Sequence, residues 1–113
     1  MGKLGKELQS IDLDPYIQVE HRSWEEAESF HFTWYEEGLN KGVTLLVTNK
    51  GLAFVGGDIW RDNGGVRTWY YNFLGEVETS DVKRVVELVE QAISQVQAWG
   101  EDKLREGEDW RLK

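Results

Sequence analysis

The hydrophobic pattern of this chain changes its period once, and that change predicts the fold. Between residues 16 and 75, apolar and polar side chains alternate along short segments separated by glycine-rich turns, as in antiparallel strands. From residue 79 onward, apolar residues recur every three to four positions and form an amphipathic stripe. Thr79, Ser80 and Asp81 supply an N-cap for that helix. The sequence therefore predicts an α+β fold, in which an antiparallel four- to five-stranded meander sheet carries one long C-terminal helix on one face.

The length of the chain, 113 residues, suits a single α+β domain spanning residues 1–113. Within it, residues 1–15 are predicted to form an N-terminal arm or short helix, 16–75 the meander, 79–107 the long helix and 108–113 a tail. The helical stripe over residues 82–99 also has the spacing of a coiled-coil seam. It covers too few heptads for that interpretation to be favoured over packing on the sheet.

Alternation assigns the strand residues to two faces. The predicted helix-facing set contains the large apolar residues Phe30, Phe32, Trp34, Val43, Leu45, Val47, Phe54, Trp69, Tyr71 and Phe73. The predicted outer set is rich in threonine and tyrosine: His31, Thr33, Tyr35, Thr44, Leu46, Thr48, Thr68 and Tyr70. Three interpretations of the outer set stay open: an ordinary exposed sheet face, an interface with a second copy or another protein, and a stacking platform for single-stranded nucleic acid.

Acidic residues are concentrated in one segment of a chain whose formal net charge is -8. Residues 23–40 contain no lysine or arginine and carry Glu25, Glu26, Glu28, Glu36 and Glu37. A negative surface repels phosphate backbones, so duplex nucleic acid is an unfavourable partner. The segment is either a solvated surface or a docking patch for a basic partner.

Catalytic, metal and cofactor motifs are not recognisable in this sequence. There is no cysteine, and the two histidines, His21 and His31, do not fall in a known catalytic or metal-ligand spacing. A metal site combining them with Glu20 or Glu36 is a weak alternative. Asp58 follows a glycine pair and is interpreted as a turn cap rather than an acid–base group. We therefore expect no catalysis, no metal and no cofactor.

Two further expectations concern location. The N-terminus lacks the pattern of a signal peptide, and no apolar run is long enough to span a membrane. These features predict a cytoplasmic protein that does not enter a membrane.

Together, these patterns favour a small, acidic, non-catalytic protein-binding module of the inhibitor, adaptor or regulatory-subunit type, with another, basic protein as partner. We also expect a homodimer, because two-fold dimers are the commonest protein oligomers. Its predicted contacts are Trp24, Glu25, Glu26, Glu28, Tyr35, Glu36, Glu37, Trp60 and Tyr70. The first alternative is single-stranded nucleic-acid binding through Trp60, Arg61, Arg67 and Tyr70. The second is a small-molecule pocket between helix and sheet, lined by Trp34, Trp69 and Trp99.

Overall fold

The computed structural model of the chain describes residues 2–9, 11 and 13–111. Its elements, in chain order, are α1 (Gly2–Gln9), β1 (Gln18–Ser23), β2 (Ala27–Glu36), β3 (Leu39–Thr48), β4 (Leu52–Asn63), β5 (Val66–Glu78), α2 (Val82–Gln97), α3 (Glu101–Leu104) and β6 (Glu108–Arg111). The strands form one antiparallel sheet in the order β1-β2-β3-β4-β5-β6. The predicted α+β class and the antiparallel meander are confirmed.

The C-terminal part of the chain differs from its prediction. The single helix over residues 79–107 is wrong, because α2 ends at Gln97 and α3 is a separate short turn. The predicted tail contributes a sixth strand, β6, which pairs with β5. Gly107 explains this return, since a Cβ atom there would lie 2.3 Å from the carbonyl oxygen of Trp69. Residues 1, 10 and 12 of the predicted arm and residues 112 and 113 of the tail lie outside the described residues.

Helix α2 covers β3, β4 and β5 and supplies one side of the core. Asp81 is its N-cap and accepts a hydrogen bond from the backbone N–H of Arg84 at 3.1 Å, as the sequence predicts. The predicted stripe is turned inward: α2 buries Val85, Leu88, Val89, Ala92, Ile93 and Val96 against Phe32, Val43, Leu45, Val55 and Ile59 of the sheet. Burying each large apolar side chain contributes roughly 1.5–3 kcal/mol.

Four residues that the sequence assigned to the helix-facing set lie on the opposite face of the sheet: Phe54, Trp69, Tyr71 and Phe73. Phe54 is paired with Leu46 of the predicted outer set, and its ring contacts that of Phe73. We call this side of the sheet, turned away from α2, the open face. Tyr70 and Thr68 differ from their prediction in the opposite direction: the sequence places them in the outer set, but they lie on the helix side. There Tyr70 packs edge-on against the buried Trp99.

For the three residues of β5, the reason for this inversion is a bulge between β4 and β5; Phe54 alternates regularly with the buried Ala53 and Val55 of β4. Val55 pairs with Gly75 while Gly56 pairs with Phe73, so Leu74 is left unpaired and packs against the core. On the helix side of the same place, a Cβ atom on Gly57 would lie 2.5 Å from Val96. The helix is therefore pressed so close to the sheet that its own side chains fill the space.

A buried lysine connects the sheet to the C-terminal end of α2. Lys41 is 3% exposed, and its Nζ donates to Glu36 Oε1 at 2.9 Å and to the carbonyl oxygen of Gln97 at 2.8 Å. The carbonyl end of a helix carries partial negative charge, which favours a cation there. Burial alone would raise the pKa of Glu36, but hydrogen bonds from Lys41 and Trp34 lower it overall. The lysine is thus compensated on both sides.

Replacement of this cation tests its structural role. We expect Lys41→Met to lower the free energy of unfolding by about 1–3 kcal/mol, because the Gln97 carbonyl and Glu36 both lose a charged donor. Urea denaturation followed by circular dichroism measures the change. Lys50→Met, at the exposed β3–β4 turn, is the matched control and should be nearly neutral. Equal stability of the two variants would contradict a stabilising role for Lys41.

Candidate binding site on the open face

Aromatic side chains cover the centre of the open face without any part of the described chain packed over them. We call this cluster the aromatic patch: Phe54, Trp60, Trp69, Tyr71, Phe73 and Trp110. Trp69 is at its middle, with ring centroids 5.9 Å from Tyr71 and 6.3 Å from Trp110. Tyr71, Phe73 and Trp110 each remain about half exposed, at 50%, 52% and 51%. The patch is therefore a surface of large, partly supported rings.

Two glycines in the sheet create the depth of this surface. A Cβ atom on Gly56 would lie within 2.4–2.8 Å of the Tyr71 phenol, so that ring lies directly on the backbone of β4. A Cβ atom on Gly42 would lie 2.7 Å from Asp58 Oδ1. The Tyr71 ring and the Asp58 carboxylate can occupy these positions only because Gly56 and Gly42 have no side chains.

A pocket of about 280 Å³ opens between these two positions. It is lined by Thr44, Leu46, Phe54, Gly56, Asp58, Trp69 and Tyr71. We call it the Asp58 pocket. Its lining contains one carboxylate and no cationic side chain, which is an unusual composition for an otherwise apolar depression.

Asp58 is only partly satisfied by its neighbours. The indole Nε1–H of Trp69 donates to Asp58 Oδ2 at 3.0 Å, whereas Oδ1 accepts no hydrogen bond from a described residue and is not sealed from solvent. Burial raises the pKa of Asp58, although the Trp69 hydrogen bond and the charges of His31 and Arg67 act to lower it. The ionised carboxylate is thus held where the surrounding protein does not fully stabilise it.

Carboxylates outnumber cations around the patch. Arg67 donates two hydrogen bonds to the Asp62 carboxylate, from Nε to Oδ1 at 2.7 Å and from Nη2 to Oδ2 at 3.1 Å. Its guanidinium lies 5.8 Å from the Trp60 ring centroid. The hydrogen bond from Arg67 lowers the pKa of Asp62. The strand register places three more carboxylates on the open face of β5 and β6, those of Glu76, Glu78 and Glu108. Glu20, on the distant strand β1, is ion-paired with Arg22. Arg67 is therefore neutralised, and the rim is acidic.

The structure does not gather the sequence-predicted contacts into one surface. Trp24, Glu25 and Glu26 occupy the exposed β1–β2 turn, whereas Tyr35, Glu36 and Glu37 lie at the other end of β2, about 30 Å away at 3.3 Å per strand residue. Of the remaining contacts, Glu28 is buried and near His21, with Oε2 to Nε2 3.2 Å. Tyr70 is on the helix side. Tyr35 and Trp60 both line one depression.

The set predicted for nucleic acid is likewise divided. Trp60 and Arg67 are on the open face. Arg61 and Tyr70 alternate with them and lie on the helix side, where Arg61 forms an ion pair with Glu101 and Tyr70 contacts Trp99.

The weaker chemical alternatives are also separated by the fold. His21 stacks on Phe30 with ring centroids 4.4 Å apart, while His31 is on the opposite face and shares a hydrogen bond with Thr44 at 3.2 Å. Among the described residues, no group of three metal-ligating side chains comes together. The predicted pocket of Trp34, Trp69 and Trp99 is wrong, because Trp69 lies on the open face while the other two are buried beneath α2.

Four residues of the patch are absent from the binding surfaces predicted from the sequence: Phe54, Tyr71, Phe73 and Trp110. A tryptophan in a short polar tail was the one available signal for Trp110, since such a ring requires a neighbour to pack on. Tyr71 and Phe73 gave no signal, because alternation shows which residues share a face but not which face is covered.

Comparison with known proteins adds no assignment. No protein family, curated protein or solved structure matches this chain. Within the described residues, none of the helices has the length and hydropathy needed to cross a bilayer. Function is therefore inferred from the geometry and charge of the open face.

Asp58 should reduce the stability of the protein when it is ionised. A carboxyl group whose pKa is raised by folding binds its proton more tightly in the folded state, so stability falls as pH rises through that pKa. We expect Asp58→Asn, which keeps an acceptor for Trp69, to increase the free energy of unfolding near pH 7. The gain should shrink as the pH is lowered and wild-type Asp58 becomes protonated.

Urea denaturation over a pH series measures this difference. Asp109→Asn is the control, because Asp109 is exposed and accepts only a surface hydrogen bond from Thr68. A loss of stability in Asp58→Asn at every pH would show instead that the charge of Asp58 supports the fold.

Proposed function

We propose that the protein is a non-catalytic protein-binding module that recognises a positively charged protein through its open face. The observation that carries this proposal is the uncovered aromatic patch, with Tyr71, Phe73 and Trp110 each about half exposed. Contiguous exposed apolar surfaces are rare on monomeric proteins and usually mark interaction sites. Tryptophan and tyrosine are also the residues that contribute most energy at protein interfaces.

The charge around the patch favours a basic partner. Carboxylates of Glu76 and Glu108 flank the rings, Asp58 lies in their midst, and the whole chain has a net charge of -8. Such a surface attracts a cationic protein at long range, and salt weakens that attraction. Tyr35 and Trp60, both predicted contacts, extend the same surface toward the β2–β3 turn.

A second copy of this chain is the rival occupant of the face. The homodimer predicted from the sequence would pair two aromatic patches, which suits an isologous interface. It would also bring two acidic rims together, and this repulsion is relieved by salt. Self-association through the open face should therefore strengthen with salt, whereas binding of a basic partner should weaken.

Single-stranded nucleic acid is the second candidate, because aromatic rings on an open sheet face are suited to stacking bases. Trp60 with Arg67 above it is the geometry that favours it. The acidic rim opposes a phosphate backbone, and Arg67 is already held by Asp62. We therefore rank this function below protein binding.

The proposal is tested by affinity capture from a lysate of the native host with the wild-type protein and the double variant Phe73→Ser/Trp110→Ser. Both side chains are half exposed, so the fold should persist, which circular dichroism verifies. We expect the wild-type protein to retain a basic protein that elutes as salt is raised, and the double variant to lose it. Retention of the same protein by the double variant would contradict the proposal.

The matched control is Val19→Ser/Trp24→Ser, which removes two equally exposed apolar side chains away from the open face. It should bind as the wild type does. Glu25→Lys/Glu26→Lys tests the predicted acidic contact separately: loss of capture in this variant alone would place the partner at the β1–β2 turn instead.

Two further measurements identify the rival occupants. Sedimentation at low and high salt should show no dimer that strengthens with salt. A labelled oligothymidylate should show no anisotropy change at low salt that depends on Phe73 and Trp110. A positive result in either would replace the basic protein as the occupant.

The cytoplasmic location stays a prediction.

A further inference from the structure

We infer that the Asp58 pocket is a recognition site for a single cationic side chain, an arginine or lysine presented by the partner. This inference rests on the proposed function and specifies its chemistry. The open face would bind one charged side chain of the partner in the Asp58 pocket, in addition to the long-range attraction from its acidic rim. The pocket is about 280 Å³ and combines three aromatic rings with one carboxylate.

The rings supply the first half of this chemistry. Phe54, Trp69 and Tyr71 line the pocket, and Trp69 and Tyr71 lie at 27° to one another with centroids 5.9 Å apart. The faces of aromatic rings carry negative electrostatic potential and attract ammonium and guanidinium groups, more strongly where water is partly excluded. An alkyl or guanidinium stem can also pack on the same rings.

Asp58 supplies the second half. Trp69 donates to Oδ2 at 3.0 Å and thereby fixes the carboxylate, while Oδ1, which lies over Gly42, has no hydrogen-bond donor among the described residues and is not sealed from solvent. A donor from a cationic ligand would give that oxygen a charge-assisted hydrogen bond. The partial burial that makes the ionised carboxylate costly in the free protein strengthens its interaction with such a ligand.

The protein's own cations do not fill this position. Arg67, the nearest guanidinium on β5, is held by both of its hydrogen bonds to Asp62 and lies over Trp60. His31 faces Asp58 from β2, but its ring is engaged with Thr44. Neither side chain therefore fills the pocket, and Gly56, which has no side chain, adds to its depth.

The test uses small probes and the indole resonance of Trp69, which reports directly on the hydrogen bond to Asp58. Acetyl-arginine amide and acetyl-lysine amide are titrated into the ¹⁵N-labelled protein at constant ionic strength, with acetyl-citrulline amide as the neutral analogue of arginine. Loss of a peak in Trp69→Phe assigns the resonance. We expect a saturable shift with one or both cations, with a dissociation constant on the order of 1 mM, and none with citrulline.

Variants decide whether the pocket is responsible. Asp58→Asn should weaken cation binding about 10-fold or more, because it removes the charge and leaves the rings. Gly56→Ala should weaken binding too, since its Cβ would displace the Tyr71 ring. Asp109→Asn is the matched control: it makes the same chemical change at an exposed carboxylate outside the pocket and the acidic rim and should leave the affinity nearly unchanged.

The inference is overturned if citrulline shifts Trp69 as arginine does, if no cation shifts it, or if Asp109→Asn and Asp58→Asn weaken binding equally. Its failure is distinguishable from failure of the proposed function. Absence of a probe response, together with capture that still depends on Phe73 and Trp110, would remove the Asp58 pocket as a cation site and leave the open face as the binding surface. Loss of both the probe response and the dependence of capture on Phe73 and Trp110 would rule out both the cation site and the proposed function.

Discussion

Two adjacent glycines in β4 allow side chains to pack closely against the backbone on both faces of the sheet. Gly57 faces α2 and has Val96 and Trp99 against it, and Gly56 faces the other way with the Tyr71 ring against it. A side chain at Gly57 would displace Val96 and Trp99, and one at Gly56 would displace the Tyr71 ring. The bulge at Leu74 lies at the same point of β5. The packing of the helix and the depth of the aromatic patch are therefore two consequences of one short stretch of backbone.

Lys41 and Asp58, two buried or partly buried charges of the sheet, have opposite environments. Lys41 has a carboxylate and a helix carbonyl as partners, so its charge is compensated inside the protein and contributes to the fold. Asp58 has a donor on one oxygen only, and burial raises its pKa. An incompletely stabilised charge beside exposed rings is typical of a position kept for a ligand rather than for stability. This contrast is what separates the open face from an ordinary solvent-facing sheet.

The sequence was sufficient for the fold class, the meander and the capped helix, because alternation, glycine turns and the N-cap at Asp81 are local signals. It was insufficient for β6, since pairing of a short tail with a distant strand depends on tertiary contacts such as that of Gly107 with Trp69. The sequence was insufficient for the open face for a different reason. Alternation predicts that three large aromatics on one side of β5 lie in the core. In the structure Val96, Leu74 and Trp99 occupy the space over Gly57, and Trp69, Tyr71 and Phe73 lie on the open face.

The most direct measurement of the central claim is therefore which layer the β5 tyrosines touch in solution. A nuclear Overhauser spectrum of the isolated protein should connect the Tyr71 ring protons to the Hα atoms of Gly56, and those of Tyr70 to the indole of Trp99. The account predicts both contacts and none between Tyr71 and the methyl groups of Val96. Contacts from Tyr71 or Phe73 to the valines of α2 would place these rings in the core and contradict the existence of the open aromatic face.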